Sequence, residues 1–357
     1  MNKYNISGLI LPTMSRLYHN YVRNVLKNIF LANYYMYQYK NKKLSTVYLE
    51  TTNACNLNCV ICPTQRENNT IIKHGFMSPK FFNRLVDEIA RESPYINVFL
   101  HKDGEPLLHP NIIDFLGYAC SKLKNVTLVT NATLVNGEMA KAILNTNLQN
   151  IKFSVDGITK NTYEKIRVQS KDNPYASSQF PVDYETVISN ILNFCNLKKE
   201  LKSKIRVCLR MTNFKMSNTE ITNYRSFWEK RVDSVEIAGF HSWSGEIYKE
   251  KKEHLRYPCL HLWRQTIISW NGTMVPCCTY IDSANDGKGF LANINNINIK
   301  DAFFGSVLLN MLRRAHIDNN LDEIAPFCKN CDDWRVHYDG LGNIWTKKMK
   351  KALRPEN

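Results

Sequence analysis

From residue 46 onward, short runs of β-branched and apolar residues alternate with stretches whose apolar positions recur at helical spacing. The runs predict strands over Thr46–Glu50, Ile96–His101, Asn125–Val129, Ile151–Val155, Ile205–Arg210 and Ser234–Ile237. The periodic stretches predict helices over Pro79–Arg91, Asn111–Leu123, Gly137–Leu144, Tyr184–Cys195 and Glu220–Lys230. Strands alternating with helices imply a parallel sheet. These units are too few to close an eight-stranded barrel, so the expected fold class is α/β, a partial (β/α)6 TIM-like barrel spanning residues 45–240. Past residue 240 the alternation stops and cysteines become dense. A boundary is expected within Phe240–Glu253, where Gly239, Gly245 and the charged run Lys249–Glu253 break the pattern. Residues 241–340 then form a small Cys-rich domain and 341–357 a basic tail, with Lys347–Arg354 a solvated helix end.

Residues 1–44 read as a helical extension. Leu17, Tyr21, Val25, Leu26, Ile29 and Phe30 recur at helical spacing, with Arg16, Arg23 and Lys27 between them. Such a helix packs on the main domain; the sharper alternative is a basic amphipathic helix making peripheral contact with a membrane or partner.

Composition narrows the class. With 357 residues and 44% hydrophobic content, the chain can bury a sizeable core. Eleven cysteines, an odd number with tight C-x-x-C spacings, argue against a secreted disulfide framework and for metal ligands in a reducing cytoplasm. No signal peptide is visible, and no run of about eighteen apolar residues suggests a spanning helix. The formal charge of +15 favours acidic partners, but it is spread along the chain and reads as a solvated basic surface.

The chemistry concentrates at the end of the first strand. Cys55, Cys59 and Cys62 stand in a C-x3-C-x2-C segment on the loop that follows it, the functional face of a parallel α/β fold. Three thiolates can wrap one face of a cubane iron–sulfur cluster and leave one iron open for chemistry. The alternative is a zinc site completed by a distant residue.

This segment resembles the signature of the radical S-adenosylmethionine (SAM) superfamily, although Ile61 stands where relatives often carry an aromatic residue. The resemblance implies a 4Fe–4S cluster whose open iron binds SAM and whose electron cleaves it to a 5′-deoxyadenosyl radical. Further motifs agree with it. Gly104, Glu105 and Pro106 resemble the family's G-E-P element, which receives the SAM amino group, with Lys102 and Asp103 standing where relatives carry another glycine. Thr130 and Asn131 resemble the turn lining the SAM site, and Ser154 and Asp156 the element near its ribose and carboxylate. Arg167 resembles an arginine supplied to SAM or substrate. Alternation along the fifth strand leaves open whether Arg210 faces inward or outward.

Downstream, Cys259, Gly272, Cys277 and Cys278 precede a distant Cys328-x2-Cys331 pair. Trp270–Cys278 reads as a hairpin whose Asn-Gly turn returns Cys277 toward Cys259. Four thiolates close a tetrahedral set, for a complete cluster or a structural zinc. The region resembles the SPASM/Twitch extension of radical SAM enzymes. That resemblance implies one auxiliary 4Fe–4S cluster on Cys259, Cys277, Cys328 and Cys331, with Cys278 competing for the second place. Cys120, Cys195 and Cys208 sit in helix or strand patterns and read as core residues. The cofactors expected are therefore SAM and two 4Fe–4S clusters, with reduced flavodoxin or ferredoxin as electron donor.

The function expected is radical oxidation of a small polar molecule such as a sugar, aminocyclitol or other alcohol, the auxiliary cluster accepting an electron. Lys102 and Arg210 are the expected catalytic residues, with His101 and His241 as further candidates for taking the hydroxyl proton. The alternatives are modification of a ribosomal peptide and, from another class, a zinc-stapled nucleic-acid-binding protein, which would leave the SAM-like motifs without a reason.

Overall fold

The computed structural model describes residues 37–62, 74–168, 183–244, 257–280, 291–322 and 326–337, together with Phe30, Tyr34, Asn173, Tyr175 and Ile247. The stripe Leu17–Ile29 and the tail 341–357 lie outside the described residues, as does most of the expected boundary segment.

Six βα units build the core. Strands β1 (Thr46–Leu49), β2 (Asn97–Leu100), β3 (Val126–Thr130), β4 (Asn150–Ser154), β5 (Arg206–Asn213) and β6 (Ser234–Gly239) pair in parallel, each with the next. Between them lie α1 (Pro79–Glu92), α2 (Ile112–Lys122), α3 (Gly137–Leu144), α4 (Lys160–Ile166), α5 (Tyr184–Glu200) and α6 (Asn218–Trp228). Side-chain caps fix most helix starts. Ser78 accepts from Phe81 N with Pro79 opening α1, Asn136 caps α3, Thr159 caps α4 and Asp183 caps α5. Ser217 and Glu220 close a reciprocal capping box on α6.

The strands show which face is which. In β4, Ile151 and Phe153 are fully buried, and Phe153 meets Phe194 of α5 at 5.3 Å. Lys152 and Ser154, in the alternate positions, line an internal cavity. Along β5, Arg210 and Thr212 share that cavity while Leu209 and Met211 are buried. The partial barrel thus sends its apolar positions outward to the helices and its polar ones inward.

The C-terminal part extends the same sheet. After α7 (His261–Arg264), β7 (Gln265–Ile268) pairs in parallel with β1, and β8 (Thr273–Val275) and β9 (Ala292–Asn293) follow antiparallel. The nine strands run in the order β6-β5-β4-β3-β2-β1-β7-β8-β9. The alternation expected to stop near residue 240 therefore resumes as strand, then helix: α8 (Ile299–Gly305) and α9 (Val307–Asp318) pack beside the sheet, and α10 (Pro326–Lys329) precedes the last cysteine. Glu88 of α1 accepts from Ile299 N, and Arg84 donates to Ile294 O at 2.5 Å, so this part is clamped to the first barrel helix. The described end of the N-terminal extension packs there too, Tyr39 lying 5.7 Å from Phe304 and under the guanidinium of buried Arg313. No helix among the described residues is long and apolar enough to cross a membrane.

Candidate functional site

The loop after β1 is held from several sides. Ala54 O accepts from Glu105 N at 2.7 Å, Asn131 donates to Asn56 Oδ1 at 2.9 Å, and Asn56 donates to Thr133 Oγ1 at 2.8 Å. Asn173 donates to the Cys55 carbonyl at 3.0 Å, and Val60 N donates to Ile166 O at the end of α4. Gly104 is required by this closeness. Its φ is +73°, and an added Cβ would sit 2.6 Å from Ala54 O.

Glu105 works as a brace. Its Oε1 accepts from Leu107 N at 3.0 Å and Thr130 Oγ1 at 2.8 Å, and its Oε2 from Asn131 N at 2.7 Å. Burial pushes its carboxyl up to about 6, while those three donors pull the other way. The expected SAM-facing glutamate thus spends most of its acceptor capacity tying the β2 and β3 loops together. Pro106 opens the short 3₁₀ turn beneath it.

Asp156 and Arg167 also interlock. Arg167 donates through Nε to Asp156 Oδ2 at 2.7 Å, and Asp156 Oδ1 accepts from Thr212 N at 2.6 Å. The same guanidinium hydrogen-bonds the Cys59 sulfur. Asp156 therefore stands behind Arg167, while Arg167 itself faces the cavity.

Lys102 is likewise engaged. Its ammonium pairs with Asp103 and stands 3.7 Å from Glu50 Oε1. Glu50 in turn accepts from Asp103 N at 3.3 Å and Trp270 N at 3.2 Å. This fully buried cluster replaces the glycine of the resembling motif and joins β1, the β2 loop and the β7–β8 turn. A cation so matched is a structural tie, and the role expected of Lys102 toward substrate has no free ammonium to carry it.

A cavity of about 260 Å³ gathers the rest. Cys55, Cys59 and Cys62 line it with Gly104, Glu105, Thr130, Asn131, Ser154, Arg167 and Arg210. Tyr48, Phe99, Lys152, Thr212, Trp243 and Thr279, none of them among the expected site residues, line it as well; inward alternation along β4 and β5 is the signal that marks Lys152 and Thr212. Burial is the main force raising the Cys55 and Cys59 thiols, Cys59 to about 12. Buried thiols of this kind ionise only beside compensating positive charge, which the core of an iron–sulfur cluster supplies. Among the described residues, no three His, Cys, Asp or Glu side chains converge tightly enough to chelate a single ion. Three cysteine thiols on one loop are the donor chemistry of an iron–sulfur cluster.

The second cysteine set is assembled by topology. Gly272 turns the β7–β8 hairpin with φ +90°, and Cys277 follows β8. Cys259 lies within electrostatic reach of Cys277 and Cys331, and burial raises the thiols of Cys259 and Cys277. Cys331 N donates to Cys328 O at 3.1 Å, bringing the last pair into one turn. Cys278 points elsewhere. Its neighbours are Asp333, Arg264, Arg210 and Gln265, and it lines the central cavity that the first cysteines also line.

Comparison with known proteins agrees with this geometry. Residues 49–178 match the profile of the radical SAM superfamily, and residues 259–332 that of the SPASM iron–sulfur cluster-binding domain. The Fe-coproporphyrin III synthase of Methanosarcina barkeri is 31% identical over 134 residues, 37% of this chain and 32% of that protein. The chain thus spans about a third of the length of that relative, and 33% of a heme synthase from the same organism. A Pyrococcus furiosus tungsten-containing aldehyde ferredoxin oxidoreductase cofactor-modifying protein is 21% identical across 87% of this chain and 97% of its own. Among solved structures, anSMEcpe with bound AdoMet has a TM-score of 0.56 at 14% identity, covering 87% of this chain and 96% of that one. BtrN in complex with AdoMet and 2-DOIA has a TM-score of 0.50 at 14% identity, covering 81% and 93%. At such identities the structures speak for the fold. The profile matches fall on the two cysteine regions described above: the chain belongs to the radical SAM superfamily, with a SPASM-type domain after its core, and SAM and 4Fe–4S clusters are the cofactors that these two domains imply.

Proposed function

We propose that the enzyme oxidises a small polar substrate at the cavity between its two cysteine sets. Cys55, Cys59 and Cys62 hold the SAM-binding cluster, and Cys259, Cys277, Cys328 and Cys331 hold one auxiliary cluster. Bound there, SAM and the first cluster supply a 5′-deoxyadenosyl radical that removes a hydrogen atom from the substrate.

The observation that carries this reading is the position of Cys278 and Thr279. They follow Cys277 directly and line the same cavity as Cys55, Cys59 and Cys62. Thr279 Oγ1 lies 3.3 Å from the Cys277 sulfur. A substrate in that cavity is one residue from the auxiliary ligand set, so that after hydrogen abstraction its electron would pass to the auxiliary cluster and its hydroxyl proton to His241, which lines the same cavity. Arg167, Glu105, Thr130 and Asn131 shape the wall beside the first cysteines and hold SAM by rigidity more than by charge. The stacked pair Tyr48 and Phe99, with ring centroids 4.8 Å apart, forms an apolar wall that keeps water from the radical.

Anaerobic reconstitution tests it. The full-length protein takes up about eight irons per chain and, once reduced, converts SAM to 5′-deoxyadenosine. Cys277→Ala loses about half the iron and keeps 5′-deoxyadenosine formation, whereas Cys278→Ala keeps all of it. Four irons in the unaltered protein, or full iron in Cys277→Ala, refutes the auxiliary site; no 5′-deoxyadenosine refutes the radical reading.

A further inference from the structure

Of the cations that line the cavity, one has no carboxylate of its own. Four permanently basic side chains line it: Lys102, Lys152, Arg167 and Arg210. Lys102 is held by Asp103 and Glu50. Arg167 is held by Asp156. Lys152 takes both oxygens of Glu236, at 2.7 and 2.9 Å. Arg210 stands in register with Ser154 on one side and Glu236 on the other, yet Glu236 is already spent on Lys152. Among the described residues the guanidinium of Arg210, an exposed residue that lines the cavity, has no hydrogen-bond or ion-pair partner.

Its surroundings differ from those of Arg167. Arg167 acts on Cys59 and Glu105, beside the first cysteines. The charge of Arg210 is felt instead at Glu236 of β6 and at His241 and Cys278 beyond it. It is felt at His101 too, where burial first and then Arg210, Lys102 and Arg167 hold the ring down to about 3. An imidazole so surrounded stays neutral and offers no rival positive charge. Ser154, in register with Arg210 on β4, and Thr212, two positions along β5, line the same cavity with their small hydroxyls. A planar fork of donors without a partner, flanked by hydroxyls, is the arrangement that binds a carboxylate or phosphate through paired N–H···O bonds.

We propose that Arg210 anchors an oxyanion group, carboxylate or phosphate, carried by the substrate. The inference rests on the reading of this cavity as the SAM-dependent site and narrows the substrate to an anion. It also changes the part expected of Arg210: a guanidinium keeps its protons and serves as a clamp, not as a proton acceptor.

Calorimetry on the reconstituted, full-length protein with SAM bound tests the clamp, with inorganic phosphate and acetate as separate probes. Saturable binding of phosphate alone indicates a phosphorylated substrate, and saturable binding of acetate a carboxylated one. Arg210→Gln weakens the bound probe about tenfold or more, and Arg210→Lys, which keeps the charge but not the fork, weakens it less. Iron content and far-ultraviolet dichroism verify that each variant is folded; should Arg210→Gln lose iron, the comparison with Arg210→Lys decides alone. The inference falls if neither probe saturates the unaltered protein, or if the folded variants bind it equally. It also falls if Arg210→Gln weakens SAM by the same factor, since the arginine would then serve the cofactor. 5′-Deoxyadenosine formation in the same samples reports on the radical reading separately: product without anion binding sinks only the anchor, and anion binding without product sinks only the radical reading.

Discussion

The two cysteine regions are built on opposite plans. Cys55, Cys59 and Cys62 share one loop, which neighbouring loops grip through backbone atoms: Ala54 O on Glu105 N, Cys55 O on Asn173, Ile166 O on Val60 N. Cys259, Cys277, Cys328 and Cys331 come from separate elements, brought together only when β7 joins β1 and the hairpin turns back. The first site is closed locally and tightly, the second by the topology of the whole C-terminal part. Each depends on a glycine with positive φ, and those two glycines offer the sharpest way to weigh the plans against each other.

At Gly104 the obstacle is backbone. An added Cβ meets Ala54 O at 2.6 Å and Thr52 O at 2.7 Å, atoms that belong to the cysteine loop itself. Gly104→Ala is expected to destabilise the fold by about 3 kcal/mol and to empty the first site of iron. At Gly272 the nearest atoms are those of the Asn295 amide, at 2.6 Å, the end of a side chain that can swing away. Gly272→Ala is expected to cost about 1 kcal/mol, mostly from the left-handed backbone, with the iron count unchanged. Thermal unfolding and iron analysis of the two variants side by side measure the contrast. Equal losses would mean that the second site is as tightly closed as the first.

The same contrast explains what could be read from the chain. The core strands and helices fall within a few residues of the apolar runs, because parallel strands buried on their outer face must be apolar there. The first cysteine set was legible because its spacing is local. The fate of Lys102 was not: the pair Lys102–Asp103 is visible in sequence, but the Glu50 carboxylate that completes it arrives from β1, and Trp270 from the hairpin. The pairing of β7 with β1 was hidden for the same reason, since nothing near Gln265–Ile268 names its partner. Helices α8 and α9 did leave a signal, the caps Asn298 and Ser306. For Arg210, alternation fixes a face only once the sheet is known to curve around a cavity.

Thiol chemistry gives the smallest effect and the finest comparison, because it separates Cys278 from both plans. Cys278 follows a proposed ligand yet faces the cavity, whereas Cys120 and Cys195 pack within helices α2 and α5. Burial raises all three thiols, Cys120 to about 12 and both Cys195 and Cys278 to about 11. Below the thiol's own pKa the reactive thiolate fraction grows about tenfold for each pH unit. Maleimide added to the reconstituted protein is therefore expected to reach Cys278 slowly at pH 8, and about tenfold faster at pH 9, through the cavity. Cys120 and Cys195 rise with the same slope only when their helices open, so they lag at both values. Peptide mapping of the labelled sites reads the order. Cys278 protected from reagent while Cys277 becomes labelled would exchange their roles, placing Cys278 in the ligand set and turning Cys277 into the thiol beside the substrate.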